Sequence, residues 1–213
     1  MSYKITILTD EESWINPYID KFIGKSPYII NKIFHYKDIT EGDFLFVLGY
    51  TKIIKKDYLL KNRHNLVVHE SHLPKGKGWS PLSWQILEGQ TEIPITLFEA
   101  SEEVDNGLIY FKEIMKFDGT ELVDDLRHKQ GIYTMDLCDR FIKTYPQCIM
   151  NAKLPTGEET YYSRRTPEDS KLDIHDTIAN QFNLLRVVDN EKYPAFFMYK
   201  GEKYKITIHK CEG

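Results

Sequence analysis

His69 and Asp105 are the two side chains best suited to moving a proton. His69 lies in Val67-Val-His-Glu-Ser-His-Leu-Pro74, where an apolar run stops at a histidine and turns at Leu-Pro. Asp105 lies in Glu102-Glu-Val-Asp-Asn-Gly107, a loop sequence. Imidazole is the side chain whose ordinary pKa is nearest neutrality, so it can take a proton and return it. A carboxylate from a second loop orients such a ring and favours its charged form. Each motif alone also has a plain structural reading. A strand-end histidine is often merely half-buried, and Asn-Gly supplies the positive φ of a turn.

His64, Glu70 and His72 crowd the same stretch and raise the question of a metal. On a strand His69 and Glu70 point to opposite faces, and His72 falls beyond the turn. No HExxH helix holds them. The spacing is poor for tetrahedral closure, so no metal is expected.

The elements that must position these groups follow from periodicity. Lys4–Thr9 reads as a buried first strand, and Ser13–Gly24 as a helix with Ser13 at its N-cap. Tyr28–His35 and Asp43–Gly49 read as strands, the latter nearly all apolar as in a central parallel strand. Lys56–Asn62 reads as a short helix and Asn65–His69 as a strand. Ser80–Gly89 reads as a helix with Ser80 capping, Pro81 in the first turn and Gly89 ending it. Pro94–Glu99 and Leu108–Lys112 read as strands, and Thr120–Thr144 as a long helix broken near Gly131. The alternation predicts an α/β fold, a Rossmann-like, mostly parallel sheet flanked by helices. Residues 1–145 form the expected catalytic core. Residues 146–213 form an appendage: a loop through 161–170, a helix near Asp176–Asp189, and a hairpin of Ala195–Tyr199 and Lys203–His209. Open parallel sheets bind ligands at the carboxyl ends of their strands, where His69 stands.

Composition narrows the function. The 213 residues are 41% hydrophobic and 28% charged, as in a globular protein, and the net charge of −4 disfavours a nucleic-acid partner. No apolar run is long enough to cross a membrane. Met1–Ser13 lacks the apolar core of a signal peptide, and Cys138, Cys148 and Cys211 are odd in number and scattered. Both features predict a cytoplasmic protein without disulfides. The first strand–helix turn, Leu8–Trp14, has no glycine, which disfavours a dinucleotide, and no GxxxxGK[ST] occurs. Aromatic residues reach 13%, with most expected in the core and a minority free to face a flat ligand. Trp84, which repeats with Ile86–Leu87, is assigned to the core.

Val67–Gly78 (VVHESHLPKGKG), Ser80-Pro81, Trp84, Ile86, Gly89, Pro94–Leu97, Val104–Gly107 and Phe46–Tyr50 together resemble the core of the folate-dependent formyltransferases. That family includes methionyl-tRNA, glycinamide ribonucleotide and sugar N-formyltransferases. The 36 positions separating His69 from Asp105 are close to the family spacing. Tyr161–Asp169, Ile178, Asn183–Arg186 and Tyr193–Phe196 resemble the segment that follows the core in the sugar enzymes. Val-Val-His-Glu-Ser and Gly-Lys-Gly-Trp look like the type serving pseudaminic-acid pathways. From the chain length, the full tRNA-binding domain of the methionyl-tRNA enzymes is not expected.

The resemblance implies N10-formyltetrahydrofolate as co-substrate and a nucleotide-linked amino-deoxy sugar as acceptor. It makes His69 and Asp105 catalytic. It implies that Leu48, Gly49, Tyr50, Val104 and Asp105 hold the folate, mostly through backbone. Lys75, Lys77, Arg164 and Arg165 are candidates for a diphosphate, since arginine suits bidentate phosphate contact. Gly76 and Gly78 would let backbone approach the ligand, and Trp79, Tyr162 and Phe196 would stack on a base. Members of the family are often homodimers, but no residue here identifies an interface.

One departure stands out. Where the family has an asparagine two residues before the histidine, this chain has Val67. That asparagine donates to the formyl oxygen, and losing such a donor typically costs about 3 kcal/mol of transition-state stabilisation. Asn65, Ser71, His72, Asn106 and the Gly76–Gly78 amides are candidate substitutes, or His69 acts alone. Two rivals follow: a formyltetrahydrofolate hydrolase, and a non-catalytic binder of nucleotide-sugar or folate.

Overall fold

The computed structural model describes residues 3–101 and 105–211. A six-stranded sheet organises it: β1 (Ile5–Leu8), β2 (Ile30–Ile33), β3 (Gly42–Val47), β4 (Asn62–His69), β6 (Glu92–Glu99) and β7 (Ile109–Lys116). The order is β2-β1-β3-β4-β6-β7. The first four strands are parallel, while β6 runs antiparallel to β4 and β7 antiparallel to β6. The sheet is therefore mostly parallel, as expected, with an antiparallel edge that the apolar pattern does not announce. Two-residue strands β5 (Lys77–Gly78) and β8 (Tyr161–Tyr162) pair with each other, and β9 (Ala195–Tyr199) with β10 (Glu202–Ile206) forms the hairpin.

Strand alternation divides the core. Ile5, Ile7, Phe44, Phe46 and Leu66 face a large apolar cluster under helices α1 (Asn16–Lys25), α3 (Pro81–Leu87) and α4 (Val123–Thr144). Leu8 and Leu45 face a smaller cluster with Ile33 and Ile39, flanked by Tyr58 and Leu59 of α2 (Lys56–Leu59). Phe141 of α4 meets the rings of Phe44 and Tyr110 edge-on at 5.4 and 4.9 Å. Truncating such a residue typically costs about 3–5 kcal/mol. α5 (Gln147–Met150) leads out of the core, and α6 (Phe182–Val187) packs against α3.

Several local expectations are corrected. α4 is continuous through Gly131, whose missing Cβ admits Tyr18: an added Cβ would lie 2.6 Å from the Tyr18 ring. α1 begins at Asn16 without a side-chain cap from Ser13, and Ser80, with φ 50°, holds the N-cap position of α3 through its carbonyl and without a side-chain hydrogen bond. The expected helix over Asp176–Asp189 shrinks to α6. Upstream, Asp176 Oδ1 accepts from Thr177 N and Thr177 Oγ1 from Asn180 N, so side chains replace the helical pattern. β4 starts at Asn62, shortening α2 to four residues. β2 keeps only four of the eight expected residues before a 3₁₀ turn at Tyr36–Asp38. Among the described residues no helix is long and apolar enough to cross a membrane.

Candidate active site

β4 lies between β3 and β6 and delivers His69 at its last position. The chain then turns at once, Ser71 N donating to His69 O over 3.0 Å. Three elements pin the loop that follows. Gln85 Nε2 of α3 donates to Glu70 O (2.6 Å), Thr96 Oγ1 of β6 to Ser71 O (2.7 Å), and Lys112 Nζ of β7 to Leu73 O (3.0 Å). A loop satisfied this way keeps one conformation without a strand ladder.

His69 Nε2 lies 2.9 Å from Gly76 O and 3.7 Å from Asp105 Oδ2. The two side chains are 10% and 13% exposed, so the pair meets solvent only narrowly and its attraction is little screened. Asp105 has φ 53°, a left-handed conformation that aspartate tolerates better than most residues. Its Oδ2 accepts from Gly78 N at 3.0 Å. The structure thus brings together His69, Asp105, Gly76 and Gly78. Val67 shares the His69 face by strand alternation, and its apolar side chain offers no donor there.

The remaining candidates separate. Leu48, Gly49 and Tyr50 follow β3, beside the β1–α1 turn. Gly49 has φ 60°, and a Cβ there would meet Ser13 Oγ at 2.5 Å. Leu48 is buried, and the Tyr50 hydroxyl accepts from Tyr36 N. Val104 lies outside the described residues.

Trp79 is 38% exposed with the Arg164 guanidinium 4.8 Å over its ring, and Lys75 is exposed. Tyr162 is half-buried and donates to Glu88. Burial, with the Glu88 hydrogen bond and charge, holds its phenol well above the ordinary value.

Lys77 is a correction to the diphosphate set. Its side chain is 2% exposed and meets Glu159 at 2.7 Å. Burial pulls the ammonium down, but the Glu159 hydrogen bond and charge outweigh it, so it stays charged and occupied. Arg165 is a second correction: it donates to Val187 O and Asp169 O within the C-terminal segment, where burial lowers its pKa. Phe196 is a third, being 4% exposed with Lys203 Nζ 3.5 Å from its ring centre. Trp84, assigned to the core, is half-buried instead. Its indole donates to Ser163 O and stacks near Tyr162 at 6.2 Å.

The histidine cluster also disperses. His64 meets Glu99 and Tyr110, and His72 is exposed beside Lys112. Among the described residues no three potential ligands converge on a metal. Of the substitute donors for the missing asparagine, Asn65 Nδ2 is engaged by Leu59 O, and Asn106 also has a partner. Ser71 differs. It is 1% exposed, and its Oγ has no hydrogen-bond partner among the described residues. Its Cβ borders Gly76, which places an uncommitted hydroxyl next to the His69 contact.

Glu70 is a group that sequence reasoning weighed only as a metal ligand. Burial raises its carboxyl pKa, against the charge of His69 and a hydrogen bond from Gln130 of α4. Its place directly after His69 was the available signal, but a strand-end neighbour is uninformative until the facing helix is known.

Residues 29–131 match the family model described as formyl transferase. A methionyl-tRNA formyltransferase of Thermodesulfovibrio yellowstonii is 27% identical over 168 residues, 77% of this chain and 53% of that protein. The chain therefore spans about half the length of this curated relative. Among solved structures, a methionyl-tRNA formyltransferase from Clostridium thermocellum aligns with a TM-score of 0.82 and 21% identity, covering 98% of this chain and 94% of that one. A 4-N formyltransferase from Francisella tularensis aligns at 0.74 and 18%, covering 99% and 98%. HypX from Aquifex aeolicus, in complex with tetrahydrofolic acid, aligns at 0.78 and 15%, covering 98% of this chain and 38% of that one. At these identities the solved structures establish a shared fold.

Proposed function

We propose that this protein is an N-formyltransferase. It moves a formyl group from N10-formyltetrahydrofolate to the amine of a nucleotide-linked amino-deoxy sugar. The finer reading is a UDP-linked 4-amino-4,6-dideoxy N-acetyl-altrosamine, for bacterial surface glycan synthesis. The observation that carries the reading is His69 at the end of a central strand with Asp105 Oδ2 3.7 Å from its ring. The formyl transferase match over residues 29–131 supports the reaction class. Likeness in fold to a sugar N-formyltransferase from Shewanella sp., over nearly the full length of both chains, supports the sugar. A folate donor is supported by the likeness to HypX, which binds tetrahydrofolic acid.

In the step, the sugar nitrogen bonds to the formyl carbon and the bond from that carbon to folate N10 breaks. The amine gives up one proton and N10 gains one. His69 accepts the first and can return it to the leaving nitrogen. Asp105, beside the ring, stabilises the imidazolium between the two transfers. Holding amine and formyl group together supplies much of the acceleration. Leu48, Gly49 and Tyr50 at the end of β3 form the folate side, and Trp79 with Arg164 the nucleotide side.

The test mixes purified protein with N10-formyltetrahydrofolate and a panel of nucleotide-linked 3-amino and 4-amino sugars. A product heavier by one CO supports the reading. Formate release without a sugar would identify a hydrolase. Binding without turnover would identify a carrier. Formylation of methionyl-tRNA and of no sugar would overturn the acceptor.

A further inference from the structure

We propose that Thr160, in the segment after α5, is a positioning residue for His69, and that it acts by fixing the imidazole as its Nε2–H tautomer. Nδ1 is then the atom that takes the proton. The consequence for turnover rests on the formyl-transfer reading, whereas the tautomer does not.

A carbonyl oxygen only accepts, so the 2.9 Å contact between His69 Nε2 and Gly76 O places the hydrogen on Nε2. Asp105 Oδ2 approaches the same nitrogen at 3.7 Å. Both acceptors therefore sit on one side of the ring. His69 Nδ1 has no hydrogen-bond partner among the described residues. A neutral ring with hydrogen on Nε2 is a base at Nδ1, and the cation it becomes keeps Asp105 beside its other nitrogen.

The Gly76 carbonyl is aimed by Thr160. A trans peptide is planar, with its C=O and N–H pointing in opposite directions. The peptide joining Gly76 and Lys77 presents its oxygen to His69. On its other edge, Lys77 N donates to Thr160 O at 2.9 Å. The preceding peptide is held as well, since Gly76 N donates to Thr160 Oγ1 at 2.8 Å across 84 residues of sequence. Two further bonds extend the clamp: Trp79 N to Tyr162 O at 3.1 Å, and Gly78 N to Asp105 Oδ2 at 3.0 Å. Gly76 has φ 72°, and an added Cβ would meet the Tyr162 ring at 3.1 Å and Ser71 Cβ at 3.0 Å. Both sides of the Gly76 unit are thus gripped by one threonine, and the Thr160 hydroxyl is the part that a substitution can remove alone.

The experiment uses full-length protein labelled with ¹⁵N-histidine, comparing wild type, Thr160→Val and Thr160→Ser. Two-bond ¹H–¹⁵N spectra above the imidazole titration are expected to show wild-type His69 with hydrogen on Nε2. Thr160→Val is expected to give mixed tautomers and a kcat about tenfold lower at nearly unchanged KM, the size of one hydrogen bond. Thr160→Ser keeps the hydroxyl and restores both. Wild-type His69 with hydrogen on Nδ1 overturns the proposal whatever the variants do. So does Thr160→Val with wild-type tautomer and kcat. If no amino sugar is formylated while the tautomer result holds, the formyl-transfer reading fails and the positioning role stands.

Discussion

Gly78 donates its amide hydrogen to Asp105 Oδ2 over 3.0 Å, so the carboxylate beside His69 is held by main chain from a different loop. Asp105 and His69 are therefore located by the same glycine-bearing stretch, Gly76–Gly78, rather than by each other alone. This arrangement gives the first two predictions.

His69→Ala removes the ring that moves the proton. General acid–base catalysis typically contributes about 10²–10⁴-fold, so kcat is expected to fall by that factor. Asp105→Asn keeps an acceptor for Gly78 N but loses the charge, and a smaller fall is expected. Circular dichroism and melting should be close to wild type for both. Turnover by His69→Ala within a few-fold of wild type would remove His69 from the mechanism.

Gly78→Ala forces a side chain onto φ 96° and sets its Cβ 2.5 Å from Tyr162 O. Gly119 has nearly the same φ, 94°, with nothing within 4 Å of an added Cβ. The conformational cost, about 1–3 kcal/mol, is shared by both alanine variants. Only Gly78→Ala must also push β5 away from β8. Urea denaturation is expected to rank Gly78→Ala as clearly less stable than Gly119→Ala. Equal midpoints would mean that the β5–β8 pairing yields freely.

Glu70→Gln tests the half-buried acid that follows His69. Burial raises the Glu70 pKa in the folded state above its ordinary 4.5, so the folded protein holds this proton more tightly than the unfolded chain. The contribution is favourable below the unfolded pKa and is lost as pH rises through the folded value. Glutamine has no such proton to lose. The stability of Glu70→Gln relative to wild type is therefore expected to increase from about pH 4 to about pH 8. A difference that stays flat over this range would contradict the burial argument.

Arg186→Ala tests how the C-terminal segment is anchored. The Arg186 side chain is 2% exposed, with Nη2 3.0 Å from Glu121 Oε2, Nε on Glu121 O and Nη1 on Asn183 Oδ1. Removing one partner of a buried pair strands the other charge, which typically costs about 3–5 kcal/mol. A corresponding drop in unfolding free energy is expected. A loss under 1 kcal/mol, roughly that of an exposed pair, would mean that the segment is held elsewhere.

Much of the scaffold was legible because its signals are local. The apolar run at Asp43–Gly49 reads as a central strand and is β3, and Pro81 with Gly89 bracketed α3 as expected. Lys200-Gly201, both at positive φ, close the predicted hairpin. Misread boundaries share a cause. Ser13 and the Asp176–Asn180 stretch carry side chains that can either cap a helix or replace it, and local sequence does not choose between those uses.

By itself the sequence determined the alternating elements, the histidine at a strand end and the glycines around Gly76–Gly78. Each depends on near neighbours: side-chain periodicity, or the absence of a Cβ. Only the tertiary structure decided that β6 and β7 run antiparallel. The same is true of Lys77, which turns inward to Glu159, and of Thr160, which reaches back across 84 residues to hold Gly76. Strand direction and long-range pairing follow from which surfaces can be buried together. A lysine is bound to a partner or left to solvent according to what the rest of the chain places beside it, and its own neighbours in sequence carry no record of that.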